Sequence, residues 1–256
     1  MRLPLPGVSE LIGLMRSVVV YWRPGRQRGL RRLYGQFVLE GDLVFDVGAH
    51  VGDRSMAFAA LGARVVALEP HPRLAGWLRR TVGRNARVVV RAEAVGARPG
   101  VGRLAVSNLT PTVSTMSESW RVGVVLGNPG FRSVRWGVEV EVPVVTLDGL
   151  IESYGVPSFC KIDVEGYEAE VLAGLSQPLA GLSVEFVAGQ LDTARACLRR
   201  IQLLGQYDFN VILGEKRSFL FDEWLTAEAT LEWLEGGAGG ASSGDLYARR
   251  VEAPHA

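Results

Sequence analysis

Short, mostly apolar runs alternate along this chain with longer stretches of helical period. Leu43 to Val47, Arg64 to Leu68 and Arg87 to Val90 read as short buried strands. Between them, Asp53 to Leu61 has helical composition ended by Gly62, and Leu74 to Arg84 places Leu74, Trp77, Leu78 and Val82 on one face. The same rhythm returns later, with helices predicted at Thr146–Tyr154, Tyr167–Leu175, Asp192–Leu204 and Glu223–Glu235. Strands are predicted at Ser158–Ile162, Leu182–Val187, Phe209–Leu213 and Leu246–Val251, with Gly236 to Gly244 as a flexible loop. Strand–helix alternation of this kind argues for an α/β fold, a parallel sheet with helices on both faces. Right-handed crossovers then open the loops that follow successive strands on one edge.

From residue 96 to 145 the rhythm breaks. Gly102–Val106 and Gly137–Val145 read as strands, and the Ser-, Thr-, Gly- and Pro-rich stretch between them has no strong helical period. This is an antiparallel β insertion with a long loop, a candidate lid over a ligand site. Residues 1–40 form a helical, arginine-rich leader expected to pack on the single domain of residues 41–256.

Composition narrows the function. In 256 residues the formal net charge is +1, which lacks the basic excess of a nucleic-acid binder. Cys160 and Cys197 fit neither metal nor redox spacing, which suits a cytoplasmic chain. Leu11 to Trp22 is too short to span a bilayer and is interrupted by Arg16. With Arg23, Arg26, Arg28, Arg31 and Arg32 behind it, it is a candidate for peripheral contact with an acidic membrane surface.

Chemistry concentrates in two segments. The first, Asp46-Val47-Gly48-Ala49-His50-Val51-Gly52, joins a buried strand to its helix. Gly48 permits a tight turn and close ligand approach, and Gly52 helps the helix pack. Asp46, at a strand end, can accept a hydrogen bond from an ammonium group, whereas it would repel a pyrophosphate. Glu69, followed by Pro70, ends the second strand, near the offset at which an acid binds ribose hydroxyls. Glu93 and Ala94 follow the third strand, where a base would lie. The alternative is a helix-capping Asp46 and a solvated Glu69.

The second segment, Phe159 to Glu168, delivers Lys161, Asp163 and Glu165 to the same sheet edge. Such a cluster suits general-base work or a divalent cation, or else it is a plain ion pair beside an acidic helix turn.

The two segments, with Glu69-Pro70 and Thr146-Leu147-Asp148 between them, resemble the FkbM family of S-adenosylmethionine-dependent methyltransferases over roughly Leu43 to Val187. The family pattern is Asp-x-Gly-Ala-Asn-x-Gly, Glu-Pro, Thr-Leu-Asp and Lys-Ile-Asp-x-Glu-Gly-x-Glu, so His50 replaces the usual asparagine. It either donates to the cofactor carboxylate or brings acid–base chemistry.

The resemblance implies a Rossmann-like class I fold with a mostly parallel seven-stranded sheet, S-adenosylmethionine as cofactor, and O-methylation of a small hydroxylated acceptor such as a polyketide, sugar or glycolipid. On that reading Asp46, Gly48, Ala49, His50, Gly52, Glu69, Pro70, Glu93 and Ala94 hold the cofactor. Asp163 or Glu165 is the base, and Lys161 holds the cluster or stabilises an alkoxide. Glu185 and Trp120 face the acceptor, with Thr110, Thr112, Ser114, Thr115 and Ser117 as lid hydroxyls. A Mg²⁺ on Asp163 and Glu165 is the less favoured variant, since two acids are a thin ligand set. The rival functions are an NAD-dependent oxidoreductase, which the missing Gly-x-Gly-x-x-Gly spacing disfavours, and a non-catalytic binding domain.

Overall fold

The computed structural model describes residues 8–107 and 109–251. The leader folds as helices α1 (Val8–Tyr21) and α2 (Arg26–Tyr34). The first alternation follows as β1 (Leu43–Val47), α3 (Asp53–Ala60), β2 (Arg64–Leu68), α4 (Pro72–Arg80) and β3 (Val88–Arg91). The insertion comprises β4 (Ala94–Val95), β5 (Gly100–Val106), α5 (Glu118–Gly127) and β6 (Val138–Val145). The second alternation runs α6 (Leu147–Tyr154), β7 (Phe159–Ile162), α7 (Glu168–Ala173), β8 (Gly181–Val187), α8 (Leu191–Leu204), β9 (Tyr207–Leu213), α9 (Ala227–Glu235) and β10 (Ser243–Arg250).

Among the described residues, seven strands form one sheet in the order β3-β2-β1-β7-β8-β10-β9, parallel except for β10, which is antiparallel to both neighbours. That is the Rossmann-like class I methyltransferase arrangement. The strand order reverses between β1 and β7, and ligands of open α/β sheets bind off the strand ends at such a point.

All five residues of β1 and all four of β7 are buried, which is why they read as apolar runs broken only by Asp46 and Lys161. Phe45, Val47 and Ile162 join a core beneath α6, α7 and α8, while Val44 and Phe159 join one beneath α2 and α3. Period-two alternation sends Asp46 and Lys161, paired across β1 and β7, to the α3 side.

Three expectations need correction. The long segment of the insertion contains a ten-residue helix, α5, with Ser117 Oγ accepting the Trp120 N–H as its cap. Its helical period is faint because only Trp120 and Val124 are buried. The insertion sheet is mixed: β6 runs antiparallel to β5 but parallel to the short β4. The glycine-rich stretch from Gly236 is ordered into a 3-10 turn, Ala238–Gly240, and Ser243 and Gly244 already belong to β10.

Candidate active site

A cleft lies at the β1/β7 reversal, with an empty volume of about 920 Å³, its solvent mouth included. Gly48, Ala49, His50, Glu69, Pro70, Glu93 and Ala94 line it, as do Asp163, Glu165 and Glu185. Both predicted segments and the end of β8 therefore meet in one place.

The two segments touch through backbone. A Cβ on Gly48 would stand 1.8 Å from the Asp163 carbonyl oxygen, and Gly48 has φ 82°. This glycine serves the contact between the loops as much as any ligand. Gly52 packs differently from expectation: a Cβ there would strike Leu78 and Val82, after β2, and not the strand beside it.

His50 has φ 51°, a left-handed conformation in which Asn, Asp and His are enriched. That accounts for both asparagine and histidine at this position. The His50 N–H donates to Glu69 Oε2 at 2.8 Å, and the His71 N–H donates to Oε1 at 2.8 Å. The His50 ring meets Tyr21 edge-on, and burial pushes its pKa down to about 4, so the imidazole is neutral. Acid–base chemistry by this ring at neutral pH is thereby disfavoured.

Glu69, 6% exposed, is raised to about 8 by burial, against the two N–H donors that favour its charge. Each of its oxygens keeps a lone pair beyond the backbone bond it accepts. Glu93 also lines the cleft, but Arg91 grips both of its oxygens.

Asp46 does not reach the cleft. Fully buried, its Oδ2 accepts from Ser55 Oγ of α3 at 2.5 Å, and burial raises its pKa despite Lys161 and Ser55. An ammonium in the cleft would therefore not meet this carboxylate directly. Lys161, 1% exposed, also lies behind the cleft wall, its Nζ donating to Asp163 Oδ2 at 2.6 Å.

The acid cluster is larger than two residues. Oxygens of Asp163, Glu165 and Glu185 lie within 4.8 Å of one another, an oxygen donor set of the kind hard cations use. Burial alone would raise Asp163. The Lys161 ammonium and Arg54 guanidinium outweigh it, with hydrogen bonds from Lys161 and Glu185, and hold it down at about 2. Glu165 and Glu185 are pushed well above the carboxylate range, first by burial and then by the Asp163 charge. The charge of the cluster is therefore drawn toward Asp163 and away from the two glutamates.

Glu165 sits at φ 56° and Gly166 at 89°, a sharp turn clamped from both sides. Glu168 Oε1 accepts the N–H groups of Val164 and Gly166, and Thr115 Oγ1 donates to the Glu165 carbonyl at 2.6 Å. Glu168 is thus the turn's anchor, and burial raises it to about 7.

The insertion supplies one wall of the cleft through Leu104, Pro111, Thr112, Ser114 and Met116. Trp120 does not face an acceptor there: at 1% exposure it is buried edge-on against Phe131 and Trp136 and packs on Gly166. Large and flanked by polar residues, it reads as a stacking platform, yet the apolar face of α5 draws it inward. Ser117 caps α5, and Thr110 meets Ser107, so neither is a cleft hydroxyl.

Sequence reasoning missed Arg54, Tyr21 and Glu215, which also line the cleft. Arg54 lies 3.8 Å from Asp53 and 3.9 Å from Glu215. Its place one residue into α3, directly after the glycine loop, was the available signal.

A family model described as the Methyltransferase FkbM domain matches residues 46–237. The chain is 31% identical over 208 residues to the 31-O-demethyl-FK506 methyltransferase FkbM of Streptomyces tacrolimicus, covering 73% of this chain and 79% of that one. It is 28% identical over 192 residues to the hexuronic acid methyltransferase AglP of Haloferax volcanii, covering 71% and 72%. Similar solved structures include an O-methyltransferase from Bacillus cereus in complex with SAH, at 14% identity and TM-score 0.49, covering 96% of this chain and 93% of that one. The match runs from Asp46 across every cleft-forming loop to α9, and so the chain belongs to the FkbM methyltransferase family and is an S-adenosylmethionine-dependent methyltransferase.

Proposed function

We propose that the chain methylates a hydroxyl oxygen of a small-molecule acceptor, with Asp163 taking the proton. The observation that carries this reading is the cluster of three carboxyl groups in the cleft, their oxygens within 4.8 Å of one another.

The residues present fit the cofactor. Glu69, its oxygens oriented by two backbone N–H groups, would hold the ribose hydroxyls. Arg54, whose contacts to Asp53 and Glu215 are long, has donors for the methionine carboxylate. Leu68, Pro70, Ala94 and Val95 give the base an apolar berth. Bound there, S-adenosylmethionine supplies an electrophilic methyl group.

Asp163 then needs only to stay charged and aligned. A carboxylate held at about 2 is too weak a base to ionise an alcohol beforehand. As the new O–C bond forms, however, the hydroxyl becomes a far stronger acid than any carboxylic acid, and its proton passes downhill to Asp163. Glu165, holding a proton, can donate a hydrogen bond to the acceptor oxygen and keep it in line, while Glu185 donates its own to Asp163. An anionic acceptor would add charge beside Asp163, which favours a neutral hydroxyl over a carboxylate. The name of the Streptomyces relative, an O-methylating enzyme, supports the same choice.

Asp163→Asn tests this. Turnover should fall by about 10²–10⁴, the usual worth of a positioned base, while S-adenosylhomocysteine affinity stays within about twofold. Near-normal turnover in that variant would remove Asp163 from the proton's path.

A further inference from the structure

The leader has two faces, and only one is used by the fold. On the inner side of α1, Gly13 and Ser17 are buried, and Tyr21 reaches the cleft wall beside His50. Trp22 Nε1 donates to the Val51 carbonyl of the cofactor loop at 3.1 Å, which pins the end of the helix. On the outer side, Leu11, Ile12, Met15, Val19 and Val20 stand exposed, Val19 at 69%, and enclose a shallow groove of nearly pure apolar surface. The spacing 8, 12, 15, 19 makes this one continuous stripe along the helix.

The charge around the stripe is one-sided. From Val8 to Leu39 there is one acidic residue, Glu10, against six arginines. Arg26 is consumed internally by Asp53 and Glu215. Arg16 on α1, Arg23 in the connection after it, and Arg28, Arg31 and Arg32 on α2 are exposed. An exposed apolar stripe bordered by Arg16 and followed along the chain by four more exposed arginines complements one surface above others, a bilayer with anionic headgroups. A second protein copy would bring the same positive charge to the contact. At 14 residues, about 21 Å long, α1 cannot cross the roughly 30 Å of hydrocarbon, and no helix of the described residues is long and apolar enough to do so.

We propose that α1 lies in the interface of an anionic membrane, its stripe in the acyl boundary and its arginines at the headgroups, so that the cleft opens beside the bilayer. Because Tyr21 and Trp22 join the same helix to the cofactor loop, the catalytic end of the sheet is held at a fixed orientation to that surface.

The full chain should be sedimented with vesicles of phosphatidylcholine alone and of phosphatidylcholine with a quarter phosphatidylglycerol. Binding should be at least about tenfold stronger to the anionic vesicles and weaken as salt rises. Ile12→Gln with Val19→Gln, both exposed and helix-compatible, should reduce it about tenfold or more without changing S-adenosylhomocysteine affinity. Arg28→Ser with Arg31→Ser and Arg32→Ser should reduce it separately. Absent binding, or equal binding to neutral vesicles, would overturn the proposal. So would concentration-dependent dimerisation that the Gln variant abolishes, since the stripe would then be covered by a second copy.

Discussion

Cofactor binding should carry a pH signature written by Glu69. In the free protein this carboxyl titrates at about 8, raised by burial from an ordinary 4.5 and partly restrained by the His71 and His50 N–H groups. Ribose hydroxyls donate hydrogen bonds, so they bind the ionised form and lower its pKa. The linkage follows in sign: cofactor binding releases a proton, and affinity weakens as pH falls below about 8. With only the ionised fraction competent, Kd should rise about tenfold from pH 7 to pH 6, and about a hundredfold from pH 9 to pH 6.

Calorimetric titration with S-adenosylhomocysteine, repeated near pH 7 in buffers of different ionisation enthalpy, counts the protons directly, and about one should leave per cofactor bound. The same group makes a second statement through folding. Its folded pKa lies above its unfolded value, so its contribution to stability is fully present below about 4.5 and is lost as pH rises through about 8. Bound cofactor should therefore raise Tm more at pH 8 than at pH 6. A Kd independent of pH between 6 and 9, with no proton released, would refute the assignment of the ribose to Glu69.

Three further substitutions probe the loops around it. Gly48→Ala places a methyl group on the Asp163 carbonyl at a positive φ, and should cost about 2–4 kcal/mol by denaturant unfolding and weaken cofactor binding as well. His50→Asn should leave S-adenosylhomocysteine affinity and Tm close to the parent, because the left-handed backbone and its N–H to Glu69 are what the position supplies; His50→Val, β-branched at that φ, should lower both. Trp120→Ala should cost about 3–5 kcal/mol as a buried deletion, whereas Trp120→Phe should keep acceptor KM nearly unchanged, an outcome a stacking platform would not give.

Much of this site was legible because buried parallel strands announce themselves. β1, β2 and β7 are short, mostly apolar runs, and the acids and glycines at their ends stand out, which marks Gly48, Glu69, Asp163 and Glu165, all four of which line the cleft. What remained hidden was direction. Asp46 and Lys161 sit one residue or two from cleft-lining neighbours, but strand alternation turns both toward α3, and the sequence has no mark for which face that helix covers. Glu185, placed at the pocket from a strand end alone, proves to complete the acid cluster. Trp120 was misjudged because α5 buries only two residues, too few to reveal its period. Arg54, Tyr21 and Glu215 come from three separate segments that only tertiary structure assembles.

The hydrogen bond from Thr115 to the Glu165 carbonyl has a consequence for loop grafting. The insertion leaves the body after β3 and returns through β6, and its wall of Leu104, Thr112, Ser114 and Met116 is a natural unit to transplant between relatives to change acceptor choice. Thr115 lies inside that unit, yet its partner, the Glu165 carbonyl, belongs to the recipient's acid turn. A donor segment that lacks a hydroxyl at this place would bring a new acceptor wall and leave the recipient's acid turn held from one side only. Grafts should therefore carry Thr115 with them, or restore it, before any change in specificity is read from their turnover.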